Sequence, residues 1–166
     1  MSVPEERLDS PIEAGRYAWP DVDLDPVERM RALTAGLPHV AADETVLEAD
    51  FDRVWAVIED FERFTPRIEA AVGRVRILER EGERIVLLAK GPLPSLSPWQ
   101  RFDVVLRPGW CLMASRLGDI GMAARPEGPG RTRFFHFEGS ALFGRLVKPL
   151  FAWNIRQDFR KIRGLL

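Results

Sequence analysis

A strand and an amphipathic helix meet within ETVLEADFDRVWAVIEDF, residues 44–61. The pattern over residues 40–49 predicts a strand, and Ala49-Asp50 leads into the helix. Apolar residues then recur at three- and four-residue spacing, which places them on one helical face: Phe51, Val54, Trp55, Ile58 and Phe61. Asp60 and Thr65-Pro66 end this helix, and residues 67–72 predict a second short helical turn.

Six further segments predict strands: 74–80, 83–90, 100–107, 110–117, 120–125 and 131–139. Most are separated by short turn sequences such as Glu81-Gly82 and Pro108-Gly109. Short connections indicate antiparallel pairing, because parallel strands need long crossovers. Residues 91–98 contain three prolines and predict a longer, stiffer connection.

The chain ends in a predicted long helix over residues 142–166, in which Pro149 either marks the first turn or bends the helix. Its apolar arc is wider than a surface helix needs, as expected of a helix held by a sheet. We therefore predict an α+β fold, with a curved antiparallel sheet of about six to seven strands wrapped around this helix. Two short helices follow the first strand.

This order resembles the START-like, or SRPBCC, superfamily, which includes polyketide cyclase/dehydrase-like proteins. The resemblance covers residues 39–166. It is carried by residues 44–61, by Thr65-Pro66-Arg67-Ile68 and by Gly130-Arg131-Thr132-Arg133-Phe134, which resembles the entry to the family's final strand. It implies a helix-grip fold whose sheet and long helix enclose a cavity that commonly holds a hydrophobic molecule. The family's chemistry varies, so the resemblance leaves the reaction open.

Residues 1–38 fall outside the resemblance and predict an acidic arm with one short helix. Residues 1–28 contain eight acids and two bases, whereas residues 145–166 contain six bases and one acid. The arm either stays solvated, as charge runs commonly do, or lies against the basic end of a chain. Asp25, Pro26 and Glu28 form a helix start with capping-box spacing, and Gly36 and Pro38 end the helix.

Composition excludes several classes of function. The chain has 166 residues, enough for one domain and an arm, and its formal charge of −1 argues against a nucleic-acid surface. One cysteine, Cys111, excludes an internal disulfide, and two distant histidines argue against a histidine-based metal cluster. We expect no cofactor. No signal peptide or membrane-spanning run is evident, so we expect a cytoplasmic protein for which only transient membrane contact remains open.

Alternation along the strands leaves some side-chain directions open. An inward Arg116 would pair with a carboxylate or oxyanion, but inward charge is costly, so we expect Arg116 to face outward. In the last strand the more apolar pair, Phe135 and Phe137, is expected to face the cavity. His136, the natural acid–base residue, is then expected to face outward with Glu138.

Three polar residues interrupt the apolar arc of the last helix: Asn154, Gln157 and Asp158. Either a ligand partners them, or this end of the helix meets water, which we favour for Gln157 and Asp158. The candidate cavity residues are Trp55, Phe102, Val104, Leu106, Trp110, Arg116, Phe135, Phe137, Leu150, Trp153, Asn154 and Gln157. The candidate catalytic residues are His136, Arg116 and Asp158.

Our first hypothesis is a carrier or sequestering protein for a lipid, quinone or polyketide-like aromatic molecule. Burial of apolar ligand surface would supply the affinity, and one or two polar groups would orient the ligand. The alternatives are a cyclase/dehydrase-like enzyme that uses the same cavity, and a protein-interaction module that uses the arm. All cavity-based hypotheses require space between sheet and helix.

Overall fold

The structure, a computed structural model, describes residues 23–93, 97–140 and 144–166. Helices and strands follow in the order α1 (Pro26–Ala35), β1 (Val40–Leu47), α2 (Phe51–Glu59), α3 (Phe61–Ile68), β2 (Arg74–Glu81), β3 (Arg84–Lys90), β4 (Trp99–Arg107), β5 (Trp110–Ala114), β6 (Asp119–Pro126), β7 (Thr132–Gly139) and α4 (Lys148–Leu165). Residues 1–22 of the acidic arm, the middle of the connection 91–98 and the predicted helix start at Leu142 lie outside the described residues.

The seven strands form one antiparallel sheet in the order β1-β7-β6-β5-β4-β3-β2. Each of β2 to β7 pairs with its neighbour in the chain, as their short turns predict, and β1 pairs with the last strand. The α+β fold, the long C-terminal helix and the two short helices after β1 are therefore confirmed. The predicted position of the second short helix is wrong: α3 spans Phe61–Ile68 and contains Pro66, whereas the sequence predicts the helical turn over residues 67–72. Strand β5 ends at Ala114, earlier than predicted, because the Ser115 hydroxyl organises a tight turn by hydrogen bonds to Leu117 and Gly118.

The stretch at residues 44–61 is tied directly to the start of β7. The Asp50 carboxylate does not cap α2; it accepts a hydrogen bond from the backbone N–H of Gly130 at 3.0 Å. The Thr132 hydroxyl donates to the carbonyl of Ala49 at 2.8 Å, and Thr132 pairs with Leu47 in the sheet. These contacts join the two sequence motifs that carry the family resemblance.

One face of the sheet, here called the inner face, packs against α2, α3 and α4. The apolar core there includes Trp55 and Ile58 of α2 and, on the buried stripe of α4, Ile155, Phe159 and Ile162. Helix α4 begins at Lys148, with Pro149 in its first turn, so Pro149 marks the helix start and does not bend it. The predicted wide apolar arc is only partly buried, since Leu150 and Trp153 are 55% and 50% exposed.

Helix α1 covers the opposite face, here called the outer face. Its predicted capping box is present, because the Asp25 carboxylate accepts from the Glu28 N–H at 2.9 Å and the Glu28 carboxylate accepts from the Asp25 N–H. A second apolar cluster lies beneath this helix: Val27, Met30, Val40, Ala123, Phe135 and Phe137. The sheet is therefore covered by helices on both faces around β6 and β7. In the described part of the chain, no helix is long and apolar enough to cross a membrane.

We expect Met30→Ala to lower the free energy of unfolding by about 2–4 kcal/mol, since it leaves a cavity under α1. Leu33→Ala on the same helix is the matched control, because Leu33 is 41% exposed whereas Met30 is fully buried. Its expected loss is under about 1 kcal/mol. Urea denaturation followed by circular dichroism measures both. Equal losses in the two variants would contradict the docking of α1 on the outer face.

Candidate functional site

Four titratable side chains meet on the inner face of the sheet. His136 and Glu138 stand two residues apart on β7 and so point the same way, Glu69 follows the end of α3, and Asp158 projects from α4. His136 Nε2 lies 3.5 Å from Glu69 Oε1, 3.6 Å from Glu138 Oε1 and 3.6 Å from Asp158 Oδ2. All four residues are buried, and we call them the acidic–histidine cluster.

The hydrogen-bond partner of His136 fixes which ring nitrogen faces the carboxylates. Its Nδ1 lies 3.0 Å from the Gly121 carbonyl oxygen, which only accepts, so Nδ1 carries the proton. Gly121 also has to be glycine, because a Cβ there would lie 2.1 Å from the ring of Phe137. Nε2 is thereby directed into the cluster.

Most polar atoms of the cluster lack hydrogen bonds among the described residues: Glu69 Oε1, His136 Nε2, Glu138 Oε1 and both Asp158 oxygens. Lys161 also approaches the cluster: its Nζ lies 3.7 Å from Asp158 Oδ1 and donates to the Ile68 carbonyl at 2.6 Å. Buried polar groups are normally partnered, so a concentration of this kind calls for an explanation.

Burial and mutual repulsion perturb the titration of the cluster. Burial, with smaller contributions from Asp158 and Glu138, raises the pKa of Glu69 to about 8. Burial alone would lower the pKa of His136, but the adjacent carboxylates of Asp158 and Glu138 raise it well above its usual value. Glu69 is therefore a buried acid that keeps its proton near neutral pH, next to a histidine that also holds its second proton there.

A cleft of about 370 Å³ reaches the cluster from the surface. It lies between the start of α4 and the sheet, and Glu69 and Glu138 belong to its wall. Apolar side chains make up much of the remaining wall: Val72, Ala89, Phe102, Ile120, Leu150 and Phe151. The cleft combines an apolar lining with two carboxyl groups, which is typical of a site for a small molecule with one polar end.

The interior beyond the cleft is nearly filled. An enclosed space of about 20 Å³ continues inward past Glu69, Val72 and Phe102, enough for one water molecule. The expectation of a hollow enclosed between sheet and helix is therefore wrong for the deep interior. The usable space is the cleft beside the first turns of α4.

The predicted site residues are dispersed by the structure. Phe102 and Leu150 line the cleft, whereas Trp55, Val104 and Leu106 belong to the core. Trp110, Phe135 and Phe137 pack on the outer face under α1, so their placement in the cavity is corrected. Arg116 is exposed as expected, Trp153 is half-exposed on α4, and Asn154 and Gln157 are partly buried outside the cleft wall.

The expectation that His136 and Glu138 face outward is wrong. The rule that sends the more apolar residues of a strand inward assumes one wet face. Because α1 covers the outer face, Phe135 and Phe137 are buried there, and the inner face receives Phe134, His136 and Glu138. Asp158, expected to meet water, is fully buried for a related reason, since it projects from the buried stripe of α4.

Sequence analysis missed the cluster as a whole. Period-two alternation does place His136 and Glu138 on one face, but it does not say which face. Glu69 follows a short helix and carries no periodic signal. The histidine count argues against a metal site built from several histidines, yet one histidine and three carboxylates also form a set of metal-ligating atoms, here all within 4.8 Å of one another.

With this geometry in view, the architecture is that of the START-like class of helix-grip folds. An aromatase/cyclase from Streptomyces sp. R1128 matches with a TM-score of 0.62 at 13% identity, covering 75% of this chain and 91% of the other. A START superfamily protein from Mycobacterium smegmatis matches with a TM-score of 0.59 at 15% identity, covering 76% and 95%. A protein from Thermus thermophilus gives a TM-score of 0.59 at 16% identity, covering 76% and 95%. The chain therefore has a START-like fold. No family model matches its sequence, and no curated protein does.

We expect Cys111, on the inner face, to resist thiol reagents in the native protein. Burial, with a smaller effect of Glu69, raises the pKa of its thiol to about 12, so little thiolate exists at pH 8. Ellman's reagent should therefore label the native protein slowly. In guanidinium chloride it should quickly label one thiol per chain. In the Leu78→Cys control, the added thiol at an exposed position should react at once. Equally fast labelling of native and unfolded wild type would contradict this packing.

Proposed function

We propose that the protein binds a small, largely apolar molecule in the cleft beside α4, as a carrier or sequestering protein. The observation that carries the proposal is the cleft of about 370 Å³, whose wall is largely apolar and includes Glu69 and Glu138. This volume lies in the usual range for small-molecule sites. Suitable ligand classes are a lipid tail, a quinone or a polyketide-like aromatic molecule.

The proposed binding mode follows from the two parts of the wall. Apolar ligand surface would be buried against Val72, Phe102 and Phe151, at roughly 25 cal/mol per Å² before ordering costs. A hydroxyl or amine of the ligand would donate to Glu138 or Glu69, each of which has one carboxyl oxygen without a partner among the described residues. The START-like fold supports this proposal because one structural neighbour is an aromatase/cyclase. A cytoplasmic location is part of the same proposal, and so is a START-like ligand-binding domain over residues 39–166 on which α1 of the arm packs.

A second candidate function is a proton-transfer enzyme of the cyclase/dehydratase kind. The observation that favours it is the inward position of His136 and Asp158, within 3.6 Å of each other. His136 and Asp158 do not line the cleft themselves, so protons would pass between the imidazole and a ketone held in the cleft through Glu69 or Glu138, which do. The interaction-module alternative is less supported, because the apolar side of α1 is used by the chain's own sheet.

We expect Val72→Trp to weaken binding of the apolar fluorescent probe N-phenyl-1-naphthylamine at least about tenfold, because the indole would occupy the cleft. Val72 is partly buried in the loop after α3 and lines the cleft. Leu78→Trp on the exposed side of β2 is the matched control and should bind like wild type. Fluorescence titration gives the dissociation constants. A wild-type protein that fails to bind the probe, or equal affinity in both variants, would reject the cleft as the site.

The enzyme candidate predicts proton exchange on a bound ketone. With 2-tetralone in D₂O, wild type should accelerate deuterium incorporation next to the carbonyl, and His136→Gln should reduce the acceleration by about 100-fold or more. His39→Gln removes the chain's other histidine and should leave the rate unchanged. Proton NMR follows the exchange. If the protein binds the probe but does not accelerate deuterium incorporation above the rate in buffer, the proton-transfer function is rejected and the carrier function is retained.

A further inference from the structure

The acidic–histidine cluster contains more unpartnered polar atoms than a ligand-orienting group needs. One or two polar atoms suffice to orient a small apolar ligand. Here four side chains converge, and five of their nitrogen and oxygen atoms lack hydrogen bonds among the described residues. We propose that this cluster is a binding site for a divalent transition-metal ion of the Zn²⁺ type. The inference goes beyond the proposed ligand binding and does not depend on it.

The spacing of the cluster suits a single ion. Ligands held about 2.1 Å from a tetrahedral ion lie roughly 3.4 Å from one another. His136 Nε2 lies 3.5–3.6 Å from one oxygen each of Glu69, Glu138 and Asp158. The ligand atoms all lie within 4.8 Å of one another, so small side-chain rotations bring them to one ion.

The orientation of His136 is that of a metal ligand. Its Nδ1–H donates to the Gly121 carbonyl, and this bond directs Nε2 at the carboxylates, where a metal ion would take the place of the Nε2 proton. Metal-binding histidines almost always donate their second ring N–H in this way, which fixes the tautomer and the ring plane. The backbone of β6 thus holds the imidazole in place before an ion arrives.

Charge also favours a cation at this position. Three carboxyl groups surround the imidazole, and the Lys161 ammonium lies near only one of them, Asp158. Burying several like charges is costly unless protons or cations compensate them. A divalent ion compensates two charges and partners the orphan oxygens at the same time. The cleft provides its entry path, since Glu69 and Glu138 line the cleft wall.

The donor set restricts the class of ion. One imidazole with carboxylates and no thiolate suits Zn²⁺, Mn²⁺ or Fe²⁺, whereas Ca²⁺ and Mg²⁺ favour all-oxygen sites. Soft ions that prefer sulfur are disfavoured, because Cys111 is not among the four ligands. Zn²⁺ is the probe of choice because four tetrahedral ligands match its usual coordination.

The direct test uses the full chain after removal of metal with EDTA and buffer exchange. Isothermal titration with ZnCl₂ should give one site per chain, and Zn²⁺ should raise the melting temperature. In wild type, two-dimensional ¹H–¹⁵N spectra of the histidine side chains should show the His136 Nε2 signal moving to the range of a metal-bound nitrogen. His39→Gln assigns the two histidines without touching the cluster.

Variants separate this site from adventitious binding. Asp158→Asn and Glu138→Gln keep side-chain size and remove a ligand charge, so each should weaken Zn²⁺ binding at least about tenfold. Asp103→Asn is the matched control, because the Asp103 side chain is 69% exposed and lies on β4 outside the cluster. If one of the two cluster variants fails to fold, the other variant and the His136 signal of the wild-type protein still test whether the cluster binds Zn²⁺.

Two results would overturn the proposal. One is no heat, no melting shift and no change at His136 with Zn²⁺ or Mn²⁺ at about 1 mM, which would mean that protons alone compensate the cluster. The other is Zn²⁺ binding that is equally strong in the cluster variants and in Asp103→Asn, which would place the ion elsewhere. If wild-type protein binds Zn²⁺ but does not bind the apolar probe, only the proposed binding of an apolar molecule in the cleft is rejected.

Discussion

Burial of β7 on both faces is the constraint on which the rest of the structure depends. Helix α4 covers its inner face and helix α1 covers its outer face, so every residue from Phe134 to Gly139 is buried. A strand in this position cannot send its polar side chains to water. His136 and Glu138 must therefore find partners in the interior, and the Gly121 carbonyl, Glu69 and Asp158 are the groups available there.

Local signals predicted most elements of this fold, although α3 begins earlier and β5 ends earlier than predicted. The turn at Glu81-Gly82 separates β2 from β3, and Pro108-Gly109 separates β4 from β5, because Gly82 and Gly109 adopt the positive φ angles that these turns require. The capping box at Asp25 is equally local. Such features are encoded within a few residues, so one sequence is enough to read them.

The orientation of β7 could not be predicted because it depends on distant parts of the chain. Phe135 and Phe137 face outward only because α1, far away in sequence, supplies Val27 and Met30 as their packing partners. The same holds for Asp158, whose burial depends on how far α4 lies across the sheet. Glu69 had no periodic signal at all. Sequence patterns define which residues share a face, whereas packing decides what that face meets.

The position of the cluster links packing to function. It lies where the filled core ends and the cleft begins, with Glu69 lining both the cleft and the small enclosed space. Replacing buried charged groups with apolar ones is often neutral or stabilising, so stability alone gives no reason to keep four of them here. Binding of an apolar ligand does not explain these groups either, because Phe102 and the other apolar residues of the cleft wall would bind such a ligand without three carboxyl groups. Groups that exceed what packing and ligand orientation require are best explained by a bound ion or by proton transfer, and both use the Nε2 atom that Gly121 keeps directed at the carboxylates.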